Sequence, residues 1–207
     1  MNFKNRYLQN AKKPKGIFGN HILNRMNKSH FDLSTWGRSF ISDIKAENII
    51  DIGCGGGMNI EQMLKLFPTS FITGVDYSIT AVKKASKRNK KAIKDKKLIV
   101  EQGDVSNLKY QDNSFDLVTA IETVYFWPGP EKSFNEIYRI LKPNGTFMIT
   151  QEADGLNPND EKLLDIIKDM NIFTKEEFYT MLSQVGLKNI NIHHDIDKHW
   201  LCITCQK

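Results

Sequence analysis

The segment Asp51-Ile52-Gly53-Cys54-Gly55-Gly56-Gly57 constrains this chain more than any other. The short apolar run Asn48–Ile52 leads into it. Behind it, Ile60, Met63, Leu64 and Phe67 share one helical side until Pro68. That order predicts a buried strand, a tight turn and a helix. Glycines let the backbone turn sharply and approach a ligand with no Cβ in the way. The helix that follows offers free N–H groups in its first turn.

The same grammar repeats. Ser70–Val75, Leu98–Val100, Phe115–Ile121 and Thr146–Thr150 read as strands. A helix over Ile79 to about Ile93 and another through Phe134, Ile137, Ile140 and Leu141 separate them. Strands without a polar face, alternating with helices, predict a parallel sheet covered on both sides. The tail departs from this pattern. Glu161–Met170 and Lys175–Val185 read as helices, the second capped by Thr174 with Glu177 three residues on. Leu187–Ile192 and Trp200–Cys205 then read as a hairpin. The expected fold class is therefore α/β, a doubly wound seven-stranded sheet, mostly parallel with one antiparallel strand in a C-terminal hairpin. A length of 207 residues suits one such domain with a small addition. Residues 1–45 are expected to form a basic tail and helical cap. In the cap, Ile22, Leu23 and Met26 share one face, and a helix from Ser34 buries Trp36, Phe40 and Ile41.

Spacing in the loop separates two ligand classes. A dinucleotide fingerprint GxGxxG started at Gly53 meets Met58 at its third position, which is wrong. The pattern that fits is D-x-G-x-G-x-G, with Asp51, Gly53, Gly55 and Gly57. An acid at the strand end repels a pyrophosphate and suits an ammonium group. Three more stations follow at strand ends: Gly74-Val75-Asp76-Tyr77-Ser78, Gln102-Gly103-Asp104-Val105, and Phe115-Asp116 through Ile121-Glu122. A carboxylate such as Asp76 can accept two hydrogen bonds from a ribose diol. Leu141-Lys142-Pro143-Asn144-Gly145 precedes the fifth strand. Together these stations resemble the class I S-adenosylmethionine-dependent methyltransferases, from roughly Ile49 to Gln151.

The resemblance implies a Rossmann-like fold, with residues 46–207 as the S-adenosylmethionine-binding methyltransferase domain. It implies that Asp51, Gly53, Cys54 and Gly55 hold the methionine part of the cofactor. Asp76, Tyr77 and Ser78 would serve the ribose; Asp104 would meet the adenine amino group and Val105 would pack on the ring. Glu122 is expected beside the cofactor, where it could also orient an amine or accept a proton. The implied product is S-adenosyl-L-homocysteine.

Methyl transfer from a sulfonium demands alignment more than a dedicated base, so no catalytic side chain is assigned. Tyr125, Phe126 and Trp127 are expected to wall the acceptor pocket. His21, Met26, Asn27, His30 and Trp36 are candidates from the cap, His30 and Trp36 being the ones assigned to the acceptor. The region lacks the (Asp/Asn/Ser)-Pro-Pro-(Tyr/Phe) pattern of nucleobase amine methylation and a Pro-Cys nucleophile, so a small-molecule acceptor is expected and nucleic acid is not. RNA or protein as acceptor, a non-catalytic cofactor-binding protein and a nicotinamide oxidoreductase are the alternatives.

The net charge of +5 gathers in Lys83–Lys97, which reads as a solvated helix face. No metal site is expected. Cys202 and Cys205 form a CxxC inside an apolar run and read as strand packing, and His193, His194 and His199 are expected away from the cofactor edge. Three cysteines and a polar, basic N-terminus without an apolar run lead to the expectation of a cytoplasmic protein. No stretch approaches the roughly 20 apolar residues that span a bilayer.

Overall fold

The computed structural model describes His21, Leu23, residues 30–158 and residues 160–207. Seven strands form one sheet in the order β3-β2-β1-β4-β5-β7-β6. They are β1 (Asn48–Ile52), β2 (Phe71–Asp76), β3 (Leu98–Gln102), β4 (Phe115–Ile121), β5 (Leu141–Gln151), β6 (Lys188–Asp195) and β7 (Trp200–Gln206). β1 to β5 pair in parallel; β7 is antiparallel to both β5 and β6. The expected single antiparallel strand is thus β7.

The described helices are α1 (Phe31–Ser39), α2 (Met58–Leu66), α3 (Ile79–Arg88), α4 (Lys90–Lys94), α5 (Pro130–Ile140), α6 (Asp160–Ile166) and α7 (Lys175–Gln184). They cover the two faces of the sheet. Phe134, Ile137 and Ile140 of α5 and Phe178 and Leu182 of α7 meet Ile50, Val118 and Phe147 on one face. Ile60 and Met63 of α2 and Ala85 of α3 meet Ile49, Leu117 and Met148 on the other. Burying an aromatic or aliphatic side chain of this size contributes about 1.5–3 kcal/mol, so the two clusters dominate the stability.

Local chemistry sets the helix ends. Thr174 and Glu177 form the expected capping box at α7. Gly57 stands before α2 at φ 76, and a Cβ there would lie 2.7 Å from the Ala85 Cα, so only glycine allows α2 and α3 this approach. The helix expected from Ile79 to Ile93 breaks at Asn89, whose Nδ2 donates to the Gly57 and Ala85 carbonyls. α1 begins at Phe31, earlier than the sequence pattern suggested, with Ser34 Oγ bonded back to the Phe31 carbonyl.

Cys202 and Cys205 lie in cores on opposite faces of β7, so they cannot form one metal or redox pair. The basic run from Lys83 to Lys97 occupies α3, α4 and the turn before β3, with most of its lysines exposed.

The position expected for the histidine cluster requires correction. Gln151, at the carboxyl end of β5, pairs with Leu201 near the start of β7. The β6–β7 turn therefore sits at the same edge as the carboxyl ends of the parallel strands. There His194 Nε2 and His199 Nδ1 lie 2.8 and 3.1 Å from Oδ2 of the buried Asp154.

Candidate cofactor and acceptor site

The chain runs outward from β1 to β2 and β3 and returns to β4 on the other side of β1. Open α/β sheets bind ligands at the carboxyl edge where the order reverses. A cavity of about 690 Å³ opens there, lined by Gly53 after β1, Asp76 at the end of β2, Gly103 after β3 and Glu122 after β4. Its volume lies within the range of cofactor sites.

At the glycine loop, the Gly53 and Cys54 N–H groups both donate to the Val75 carbonyl, at 2.7 and 3.0 Å. Gly53 has φ 72, and a Cβ there would lie 2.1 Å from Thr123 Oγ1. Asp76 Oδ2 accepts from Gly55 N at 2.9 Å and Oδ1 from Ser78 N at 2.7 Å. Each oxygen of a carboxylate has about two acceptor sites, so the side chain retains capacity toward the cavity. Burial raises the Asp76 pKa, against the pull of those two N–H groups. Tyr77, Asp104 and Val105 continue the wall; Asp104 Oδ1 accepts from the Ser106 N–H and hydroxyl.

The other end is built by the loop after β4. Phe126, Trp127, Pro128 and Gly129 line it, with Asp169 and Asn171 from the segment between α6 and α7. Asn171 N donates to the Tyr125 carbonyl at 2.9 Å, which fixes that segment. Glu122 adopts φ 57, a left-handed conformation uncommon outside glycine and often found at functional positions. Its Oε1 accepts from Glu152 N at 2.6 Å and from the Tyr125 hydroxyl at 3.1 Å. Its Oε2 lies 3.6 Å from His30 Nε2, which is 3.3 Å from Glu152 Oε1. Burial and the nearby Glu152 charge push the Glu122 carboxyl up to about 7, against the opposing His30 charge. Burial would lower the His30 imidazole, but its bond to Glu152 and the two carboxylate charges raise it overall.

Gly53, Gly55, Asp76, Tyr77, Asp104, Val105, Glu122, Phe126 and Trp127 line the cavity. Six other expected site residues do not, and each for a physical reason. Asp51 points to the α1 side of the sheet, 1% exposed, where Oδ1 accepts from Thr119 at 2.8 Å and Oδ2 has no hydrogen-bond partner among the described residues. Cys54 is buried against Ile60 and Gly74. Ser78 turns to cap α3 through Ala81 N. Tyr125 is 3% exposed and spends its hydroxyl on Glu122 and the Glu152 and Ala153 N–H groups. Trp36 packs edge-on to Phe40 and against Trp200, away from the cavity. His30 reaches the site only through Glu122 and Glu152. His21 is exposed; Met26 and Asn27 fall outside the described residues.

Leu23 of the cap and Thr123 of the loop after β4 also line the cavity. The sequence carried no sign of Asp169 and Asn171, which line it too, or of Glu152. Their periodicity and neighbours carried no signal, because tertiary packing alone brings the α6–α7 segment over the β4 loop.

Among the described lining residues, the charged side chains are Asp76, Asp104, Glu122 and Asp169, all acids. Such a wall attracts a cationic ligand and repels a pyrophosphate. It fits a sulfonium nucleoside carrying an ammonium group.

Comparison with known proteins agrees. Residues 50–149 match the model of a methyltransferase domain. The chain is 27% identical over 150 residues to 27-O-demethylrifamycin SV methyltransferase of Amycolatopsis mediterranei, covering 69% of this chain and 54% of that protein. It is 31% identical over 120 residues to sterol 24-C-methyltransferase of Aspergillus fumigatus, covering 56% of this chain and 32% of that protein. The chain thus spans about half or less of these relatives' length. A chain from the complex of the Haloferax volcanii Trm112 methyltransferase activator with a methyltransferase shares the fold, with TM-score 0.80 and 20% identity over 97% of this chain and 96% of that one. Residues 50–149 are thus similar to the methyltransferase domain of the class I S-adenosylmethionine-dependent methyltransferases, a family whose cofactor is S-adenosyl-L-methionine. No helix among its described residues is long and apolar enough to cross a membrane.

Proposed function

We propose that this protein transfers a methyl group from S-adenosyl-L-methionine to a small-molecule acceptor. The observation that carries the reading is the all-acidic charge of the described cavity wall at the sheet's switch point. Gly53, Gly55, Asp76, Tyr77, Asp104 and Val105 would hold the cofactor, which supplies an electrophilic methyl group on sulfur. The chain's own contribution is alignment and exclusion of water. Phe126 and Trp127 offer the acceptor an apolar, aromatic wall. Of residues 1–45, expected as a basic tail and helical cap, the described Leu23 lies in the cavity wall and α1 packs on β5, which supports a cap over the domain of residues 46–207. Asp51 and Cys54 support the glycine loop from behind. Three unpaired cysteines favour a reducing, cytoplasmic setting.

The named relatives are methyltransferases of 27-O-demethylrifamycin SV and of a sterol, both small molecules, which favours a small-molecule acceptor with a largely apolar body here. RNA has less support, since no described lining residue is basic and the lysine run is carried by α3, α4 and the turn after them. Titration calorimetry with S-adenosyl-L-homocysteine tests the reading. Wild type should bind, and Asp76→Ala should bind at least about tenfold more weakly, the loss of one or two charge-assisted hydrogen bonds. Absence of any heat or thermal shift with wild type would refute the proposal.

A further inference from the structure

Three ionisable side chains from separate parts of the chain meet behind the acceptor end of the cavity. Glu122 follows β4, Glu152 follows β5, and His30 precedes α1. Glu122 lines the cavity and its side chain is 8% exposed; His30 is 16% exposed; Glu152, at 51%, reaches solvent. Exposure therefore rises along the line from the cavity outward. The same His30 nitrogen, Nε2, faces both carboxylates, at 3.6 Å from Glu122 Oε2 and 3.3 Å from Glu152 Oε1. Among the described residues, the other titratable group facing Glu122 is Tyr125, whose hydroxyl donates to Oε1.

We propose that Glu122 accepts the proton released by the methyl acceptor and that His30 passes it to Glu152 at the surface. The proposal rests on the methyltransferase reading and deepens it. It requires an acceptor that carries a hydroxyl or N–H at the reacting atom. In the step, the acceptor atom bonds the methyl carbon and the sulfur takes back the electron pair of the broken C–S bond. The acceptor's proton goes to ionised Glu122 Oε2, from there to the unprotonated Nε2 of neutral His30, and from the resulting imidazolium to Glu152 Oε1 and water. Glu122 would touch the reacting group; His30 and Glu152 act through it.

The arrangement suits this task. Glu122 Oε1 is held by the Glu152 N–H and the Tyr125 hydroxyl, which leaves Oε2 as the mobile proton site. A carboxyl that titrates near neutral pH is matched to proton transfer under ordinary conditions. Slightly long contacts before a ligand binds are usual for such groups.

The test is an imidazole NMR titration of His30 in wild type, Glu122→Gln and Glu152→Gln, run beside S-adenosyl-L-homocysteine calorimetry. His30 should titrate above its ordinary value in wild type, and each substitution should lower its midpoint by half a pH unit or more, roughly threefold in the proton affinity. A midpoint unchanged by Glu122→Gln would overturn the relay while intact S-adenosyl-L-homocysteine binding leaves the methyltransferase reading in place. Loss of S-adenosyl-L-homocysteine binding in wild type would instead sink that reading. Turnover is then read as S-adenosyl-L-homocysteine release over hydroxyl, amine and thioether acceptors. His30→Ala should lower kcat for hydroxyl or N–H acceptors with little change in KM, and added imidazole should restore part of it. Turnover confined to thioethers, or an effect of His30→Ala on KM alone, would overturn the proposal. So would saturable binding of Mn²⁺ or Zn²⁺ alone that Glu152→Gln abolishes, since the cluster would then be a metal site.

Discussion

Replacing Asp51 by Asn should make the protein more stable at alkaline pH, although it removes a residue of the glycine-loop motif. The Asp51 carboxyl is 1% exposed, and among the described residues only Oδ1 has a hydrogen-bond partner, Thr119. The Arg38 guanidinium nearby is engaged with Asn59 and Thr35, at 2.9 Å each, and compensates the charge only in part. Burial is the largest influence and pushes the carboxyl from 3.8 up to about 7; the Thr119 bond and Arg38 oppose it, and the Asp76 charge adds to it. The folded state thus holds this proton more tightly than the unfolded state. Its contribution to stability is fully present below the unfolded value and is lost as pH rises through the folded one. Each pH unit is worth about 1.4 kcal/mol, so the whole window costs about 4 kcal/mol, and the part between pH 5 and 7 about 3 kcal/mol. Asn keeps the shape and has no charge to bury. Urea unfolding followed by circular dichroism at pH 5, 6, 7 and 8 measures the difference between variant and wild type. That difference should shift in favour of Asn by about 3 kcal/mol from pH 5 to 8. Glu122 titrates with the same sign but is common to both proteins and cancels. A difference that stays flat with pH would show that Asp51 is already ionised and compensated, and the reasoning would fail.

Other substitutions should act through packing and backbone conformation. Phe134→Ala, at a fully buried position against Trp127, Phe147 and Phe178, should destabilise by about 3–5 kcal/mol in the same unfolding assay. Thr174→Ala removes the α7 capping box and should cost about 1 kcal/mol, with no effect on S-adenosyl-L-homocysteine affinity. Gly53→Ala places a Cβ against Thr123 at a positive φ and should both lower the melting temperature and weaken cofactor binding; unchanged binding would show that the loop is not the cofactor floor. If Glu122 is the proton acceptor, turnover should fall as pH drops below about 7, because the group must be ionised to take a proton.

Much of this molecule is legible from residue order. The apolar runs around Gly53 and Gly74 set β1 and β2, since a strand buried on both faces needs no polar alternation, while the apolar Leu98–Val100 starts the edge strand β3, where Ile99 is half exposed. Thr174 and Glu177 announce their helix start because capping is local chemistry. The acids Asp76, which ends β2, and Asp104, two residues after β3, mark the cavity edge because they stand at the carboxyl ends of their strands. Asn89 is different: its break in the lysine-rich helix comes from a bond to Gly57, a residue 32 positions away.

The sequence by itself determined the layered α/β fold, the ligand edge and the acidic loop, because each depends on periodicity or spacing over a few residues. Only the tertiary structure decided that Asp51 and Tyr125 stand behind the cavity wall, and that His30, Glu122 and Glu152 share one site. Side-chain direction at a strand end and contacts between distant segments depend on how the sheet and its coverings pack, and no local pattern encodes that geometry.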